Sequence, residues 1–354
     1  MSFATRAQSV TPAAKPQPAA PAAEKPEAPK PHIALILPLK SEAYGNAAEV
    51  TREGFMAAAN QRGGTLLPIK IYATTEKTDE ILSAYQLAMA AQAQIVVGPL
   101  TRDGVSALAH SGMVRVPTIA LNLPNDYSAL PANLFTLSLH VENEARQVAA
   151  IAAQEDRRKA LIITADAPLS QRMQLAFTDA WLKLNGAVVR VLVYTSDPEG
   201  LQILKQAVTI SSADIIFLAL DARQARQVRP YLELNASIYA TSQVFSGNTQ
   251  SPLNFDLNGV RFVDMPWVLQ ADHPAVMVYP HTKNPVTVEL DRLYALGIDA
   301  FRITQDFLNA RPGLGYTLDG LTGLITLDAG NQFVRDLLPA IFYQGQAVLL
   351  YEPK

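Results

Sequence analysis

Two loops hold most of the chemistry-bearing side chains that sit together in this chain. Leu37-Pro-Leu-Lys-Ser41-Glu-Ala-Tyr44-Gly45 follows one apolar run, and Val97-Gly-Pro-Leu100-Thr101-Arg-Asp-Gly104 follows another. Each sets small and hydroxyl residues directly ahead of a stretch with helical spacing. Free backbone amides at a helix start hold an anion or a carboxylate, and a serine or threonine hydroxyl there adds a donor. Ser41, Tyr44, Gly45, Leu100 and Thr101, with Asn122 after a third apolar run, are therefore the candidate ligand contacts. The same residue types make ordinary helix N-caps, so Ser41 and Thr101 carry both readings.

Other reactive patterns are missing. The sequence has no G-x-x-x-x-G-K-[ST] loop, no H-E-x-x-H, no G-x-S-x-G, no EF-hand loop and no dinucleotide fingerprint. His32, His110, His140, His273 and His281 occur singly, without i, i+4 partners. Glu142 and Glu144, like Asp291 and Asp299, fall where helix starts and solvated faces put carboxylates. Gly313, Gly315, Gly320 and Gly323 follow a helical stretch, which makes them a helix stop and turn. The absence of cysteine removes disulfides, thiolate metal sites and thiol nucleophiles together. No catalytic residue, metal ligand or cofactor is expected.

The 354 residues carry a net charge of −3, with 49% hydrophobic and 17% charged residues. A charged fraction below the usual level of about 25% favours a large buried core. The slight acidity supplies no broad basic field for nucleic acid or a membrane surface. Runs such as Ile33 to Leu37 are far shorter than the ~20 residues needed to cross a bilayer.

The elements that would position these loops alternate along the chain. Residues 1–31 hold seven prolines among alanine and lysine, a composition that favours an extended tether. The first residues, Met-Ser-Phe-Ala-Thr-Arg, contain no apolar signal core. Continuous apolar runs begin near 33, 66, 94 and 116, and a second series begins near 159, 187, 214 and 237. Such runs mark strands covered by helices on both faces. Helical stripes intervene, among them Val50, Gly54, Ala57 and Ala58, and Met173, Phe177, Ala180 and Leu184. The βαβα order predicts parallel sheets with right-handed crossovers, in two similar α/β lobes. Leu293, Leu296, Ala300, Ile303 and Phe307 predict a further helix within 285–310, and Gly323 to Asp328 and Gln346 to Tyr351 predict strands.

The loop order resembles type I periplasmic solute-binding proteins. The resemblance rests on Leu37-Pro-Leu with Gly45, Val97-Gly-Pro-Leu100, Val116-Pro117 leading to Ala120-Leu-Asn122, Arg158-Lys-Ala-Leu-Ile-Ile163, Leu296-Gly-Ile-Asp-Ala300 and Thr322-Gly-Leu-Ile-Thr-Leu-Asp328. It implies an α/β fold of two Rossmann-like lobes with parallel sheets, joined by multiple crossovers. The expected division gives 32–140 with about 268–322 to the first lobe, and 141–267 with about 323–354 to the second.

Two longer strings are not demanded by that fold. Asp256-Leu-Asn-Gly-Val-Arg-Phe-Val-Asp-Met-Pro-Trp267 and Arg292-Leu-Tyr-Ala-Leu-Gly-Ile-Asp-Ala300 resemble the LppC-type lipoproteins, outer-membrane activators of class A penicillin-binding proteins. That resemblance implies a non-catalytic regulator on the periplasmic side of the outer membrane that stimulates peptidoglycan crosslinking. Its implied partner is a class A penicillin-binding protein, with Trp267 and Tyr279 as candidate surface anchors because aromatics often anchor interfaces; the other reading of Trp267 is a core residue of a lobe-crossing strand. Some relatives carry an N-terminal helical-repeat domain to which nothing here corresponds, and there is no cysteine to lipidate. The alternative is a periplasmic solute receptor that closes over a small polar ligand, such as an amino acid or cell-wall fragment, held by Ser41, Tyr44, Thr101 and Asn122.

Overall fold

A computed structural model describes Met1 and residues 30–61, 67–126, 129–232, 236–281 and 287–351. The expected tether lies almost wholly outside them. From His32 the chain alternates strand and helix: β1 His32–Leu37, α1 Gly45–Gln61, β2 Ile69–Ala73, α2 Thr78–Ala90, β3 Ala93–Val97, α3 Arg102–His110, β4 Thr118–Ala120 and β5 Leu134–Leu137. A second series follows, with α4 Val141–Gln154, β6 Lys159–Thr164, α5 Pro168–Lys183, β7 Ala187–Val193, α6 Pro198–Thr209, β8 Ile215–Ala219, α7 Ala222–Val228, β9 Ser237–Ala240 and β10 Val260–Asp264. The remainder comprises the short helices α8 Pro266–Leu269 and α9 Pro274–Met277, the long α10 Val288–Asn309, and β11 Thr317–Gly320, β12 Gly323–Leu327, β13 Gln332–Asp336, β14 Leu338–Tyr343 and β15 Gln346–Leu349.

These strands form two sheets. The first has the order β11-β12-β13-β5-β4-β3-β1-β2 and the second β15-β14-β10-β9-β8-β6-β7. In the first, β2-β1-β3-β4-β5 run parallel, and the same 2-1-3-4-5 order recurs in β7-β6-β8-β9-β10. This doubly wound order puts a switch point beside the first strand of each lobe, where ligands gather in such sheets. The parallel sheets expected from the sequence end in antiparallel strands: β12 and β11 in the first, β14 and β15 in the second.

One expected boundary is corrected. Residues from 323 onward were assigned to the second lobe, but β12 and β13 pair into the first sheet, and β13 runs parallel to β5. Only β14 and β15 belong to the second sheet, so the crossing falls at Leu337, between Asp336 and Leu338. The chain thus crosses between lobes after β5, after β10 and after β13.

The apolar interior follows the strand runs. Ile33, Leu35, Val97 and Ile119 of the first sheet share one buried cluster with Ile162, Phe217 and Tyr239 of the second. Both lobes are thereby joined through packed side chains. α1 and α10 meet at two glycines: a Cβ on Gly297 would stand 2.1 Å from the Thr51 carbonyl oxygen, and one on Gly54 would stand 2.0 Å from that of Tyr294. Only glycine lets the two helix backbones approach so closely.

Candidate functional site

A cleft of about 600 Å³ opens above the switch point of the first sheet. The first lobe lines it with Tyr44, Leu100, Thr101 and Asn122, α10 with Leu293 and Leu296, the first crossing with His140, and the second lobe with Leu169 and Arg172. Four of the six sequence-derived candidates therefore meet there. Ser41 and Gly45 do not reach the lining: Ser41 is buried beneath the loop and Gly45 opens α1.

The side chains of Ser41, Thr101 and Asn122 are engaged within the protein, while the exposed Tyr44 hydroxyl has no partner among the described residues. Ser41 Oγ accepts the Tyr44 amide at 3.0 Å. Thr101 caps α3, accepting the Gly104 amide at 3.3 Å. Asn122 Nδ2 donates to the Leu100 carbonyl at 3.0 Å, while its Oδ1 accepts the Leu123 amide at 2.9 Å. The capping reading thus describes the hydroxyls, and Asn122 ties two loops together.

Of the cationic groups of the cleft, Arg172 is matched and Arg102 only in part: its Nη2 donates to the Pro124 carbonyl at 3.1 Å, while its Nε is buried without a partner among the described residues. Arg172 grips Glu142 through two bonds of 2.7 and 2.9 Å, and Arg102 reaches the same carboxylate from the first lobe at 4.0 Å. Burial raises the Glu142 carboxyl, but Arg172, the group's own backbone amide and the His140 charge together hold it below the usual carboxylate value. An internal carboxylate thus sits where two arginines would greet that of a solute. His140, at the first crossing, is pushed down to about 4 by burial and by the Arg335 charge. Its Nδ1 is 2.6 Å from Ser138 Oγ.

Sequence reasoning missed the charged junction below the cleft. Arg292 of α10 donates to Asp264 at the end of β10 through Nε at 3.2 Å and Nη2 at 2.6 Å. The same Nη2 lies 3.1 Å from the Ser242 carbonyl oxygen and 3.4 Å from that of Phe245. Side-chain exposure is only 7% for Arg292 and 1% for Asp264, so the first-lobe helix is tied to the second-lobe sheet in a dry setting. Arg335 donates to the Ser138 carbonyl at 2.8 Å, bracing the first crossing, and to the Thr322 carbonyl at 3.0 Å. Asp299 accepts from the Thr322 amide and hydroxyl, both at 2.8 Å, and from the Leu321 amide at 3.1 Å. Glu144 accepts the Ser242 amide at 3.0 Å, and burial pushes its carboxyl above the usual value. The signal was present: Asp264 and Arg292 lie in the two strings that carry the LppC resemblance, and the fold brings them together.

Trp267 and Tyr279 are corrected as surface anchors, with 2% and 7% exposure respectively. The Trp267 indole donates to Asp291 at 2.9 Å and lies against His281, with ring centroids 4.2 Å apart. Trp267 belongs to the core reading weighed for it. It follows β10 in the short helix α8, on the chain's return to the first lobe.

Among the described residues, no group of three or more histidines and carboxylates could hold a metal ion, and no helix is long and apolar enough to cross a membrane. Two doubly wound lobes, three crossings and a cleft at the switch point define the type I periplasmic-binding-protein architecture. Comparisons with solved structures agree. A putative branched-chain amino acid ABC transporter from Chromobacterium violaceum ATCC 12472 superposes with a TM-score of 0.76 at 38% identity, covering 88% of this chain and 100% of that one. The C-domain of LpoA from Haemophilus influenzae, titled a regulator of PBP1A, superposes with a TM-score of 0.77 at 23% identity, covering 90% and 100%.

Within that architecture the chain belongs to the LppC putative lipoprotein family, whose model matches residues 12–208 and 196–345. Curated relatives include penicillin-binding protein activators LpoA. That of Klebsiella pneumoniae is 26% identical over 79% of this chain and 44% of its own length, and that of Haemophilus influenzae is 26% identical over 89% and 54%. The chain spans about half the length of these relatives.

Proposed function

We propose that this chain is a non-catalytic regulator that binds a class A penicillin-binding protein and stimulates peptide crosslinking from the periplasmic side of the outer membrane. Family membership, with relatives named as penicillin-binding protein activators, carries the reading. The internal bonding of several of the cleft's polar side chains supports it. The Ser41 and Thr101 hydroxyls and the Asn122 amide are engaged internally, and the lobes are tied by a buried ion pair. A scaffold of this kind acts by presenting a surface. It stimulates a synthase only by binding the active conformation more tightly than the inactive one, about 1.4 kcal/mol for each tenfold shift.

One observation favours a second reading, a receptor for a small apolar amino acid. The Chromobacterium violaceum structure carries a transporter title at 38% identity, and Leu100, Leu121, Leu139, Leu169, Leu293 and Leu296 make much of the cleft wall apolar. Two titrations separate the readings. A purified class A synthase added to the immobilised chain should bind saturably, while leucine, isoleucine and valine should give no heat in calorimetry. Saturable amino-acid binding without synthase binding would reverse the assignment.

A further inference from the structure

At the N-terminal edge of the second sheet, the end opposite its cleft-facing strand ends, Arg157, Arg229 and Arg261 line a pocket of about 280 Å³. Ser237 and Ile238 of β9, Gly259 ahead of β10 and Ile341 of β14 form its floor and walls. We propose that these three arginines bind a phosphate group, separately from the interlobe cleft.

The cations are brought there by backbone geometry and are under-neutralised among the described residues. Arg261 pairs with Glu155 and lies 2.9 Å from the Tyr239 hydroxyl, so one guanidinium has its carboxylate. Arg229 has none among the described residues. Its Nε and Nη2 donate to the Asn258 carbonyl at 3.1 and 2.8 Å, which fixes the guanidinium beside Gly259 and leaves Nη1 over. Burial alone lowers the Arg229 pKa, the mark of a cation taken from water without a compensating charge. Arg157 Nε is buried and has no hydrogen-bond partner among the described residues. A buried donor left unmatched is unfavourable, and an oxyanion supplies the acceptor it lacks. Among the described residues three guanidiniums face one carboxylate, and that surplus of positive charge suits a doubly charged phosphate better than a singly charged carboxylate, while the planar N–H forks fit its oxygens. The cavity leaves room for a substituent, so the group belongs either to a soluble phosphomonoester or to a lipid headgroup.

The full chain is titrated by calorimetry with inorganic phosphate and with acetate at matched ionic strength. It is also sedimented with phosphatidylcholine vesicles containing or lacking phosphatidic acid. Saturable phosphate binding, at least about tenfold weaker in both Arg157→Gln and Arg229→Gln, is expected. Among the described residues Arg157 makes no side-chain bond that its replacement would break, so that variant guards against loss of fold. Sedimentation dependent on phosphatidic acid and lost in both variants would assign the phosphate to a headgroup, and phosphate binding without sedimentation would assign it to a soluble ester. The proposal is overturned if phosphate gives no saturable heat, if acetate binds equally well, or if both variants titrate like the parent.

Discussion

Removing Arg292 tests whether the lobes are held together by buried charge. Substitution by methionine keeps most of the apolar stem and deletes the guanidinium. Asp264, at 1% exposure, would then retain the neighbouring Met265 amide at 2.8 Å, while the Ser242 and Phe245 carbonyls would lose a donor. Breaking a buried pair from one side costs about 3–5 kcal/mol, because the remaining charge cannot regain water. Against a total stability of about 5–15 kcal/mol that is a large share. Replacing both partners, Arg292→Met with Asp264→Leu, removes the stranded charge and should recover most of the loss, to within about 1.5 kcal/mol of the parent. Urea unfolding followed by the fluorescence of Trp181 and Trp267 measures all three variants. A single-variant loss below about 1 kcal/mol, or a double variant that simply adds two losses, would refute the reasoning.

Acidification should weaken the fold through His140. Its folded pKa of about 4 lies below the ordinary 6.5, so the unfolded chain binds the proton more readily. Its contribution is fully present above about pH 6.5 and is lost as pH falls through 4, amounting to about 3 kcal/mol; His140→Asn should flatten unfolding free energy over that range, and an unchanged slope would contradict the assignment. Gly297→Ala should cost about 2 kcal/mol or more in thermal unfolding, since its methyl would meet the Thr51 carbonyl of α1 and backbone cannot step aside; a neutral result would mean that the helices separate freely. Trp267→Phe should lower stability by about 1–3 kcal/mol through loss of the Asp291 bond, yet leave synthase affinity unchanged once folded. An affinity loss larger than tenfold in calorimetry would restore Trp267 as a contact residue.

The parallel cores were legible because strands covered on both faces read as continuous apolar runs, as Ile33 to Leu37 and Lys159 to Thr164 do. β7 carries such a run without being covered on both faces: it is an edge strand, with Val189, Val191 and Val193 exposed. Of the late strands, β12 and β15 were legible as Gly323 to Asp328 and Gln346 to Tyr351, while β11, β13 and β14 escaped notice. β13 reads Gln-Phe-Val-Arg-Asp, and its Arg335 is buried for bonding to the crossing, which composition cannot reveal. The sheet change at Leu337 has no glycine of its own, so 323–354 looked like one unit. Leu184, the last residue of an apparent helical stripe, caps α5 and is exposed. In the cleft, Thr101 and Ser41 carried the right chemistry, but a cap and a ligand contact ask for the same atoms. Only the hydrogen bonds distinguish them. The Asp264 and Arg292 strings were conspicuous as strings, while their meeting depends on contact across 28 positions of chain.

The most direct test is the fraction of crosslinked peptides made by a purified class A penicillin-binding protein from its lipid-linked precursor, with and without this chain, in the presence and absence of branched-chain amino acids. The account predicts a rise in crosslinking that saturates with the chain's concentration and is indifferent to the amino acids. No rise, or one that appears only when an amino acid is supplied, would contradict it.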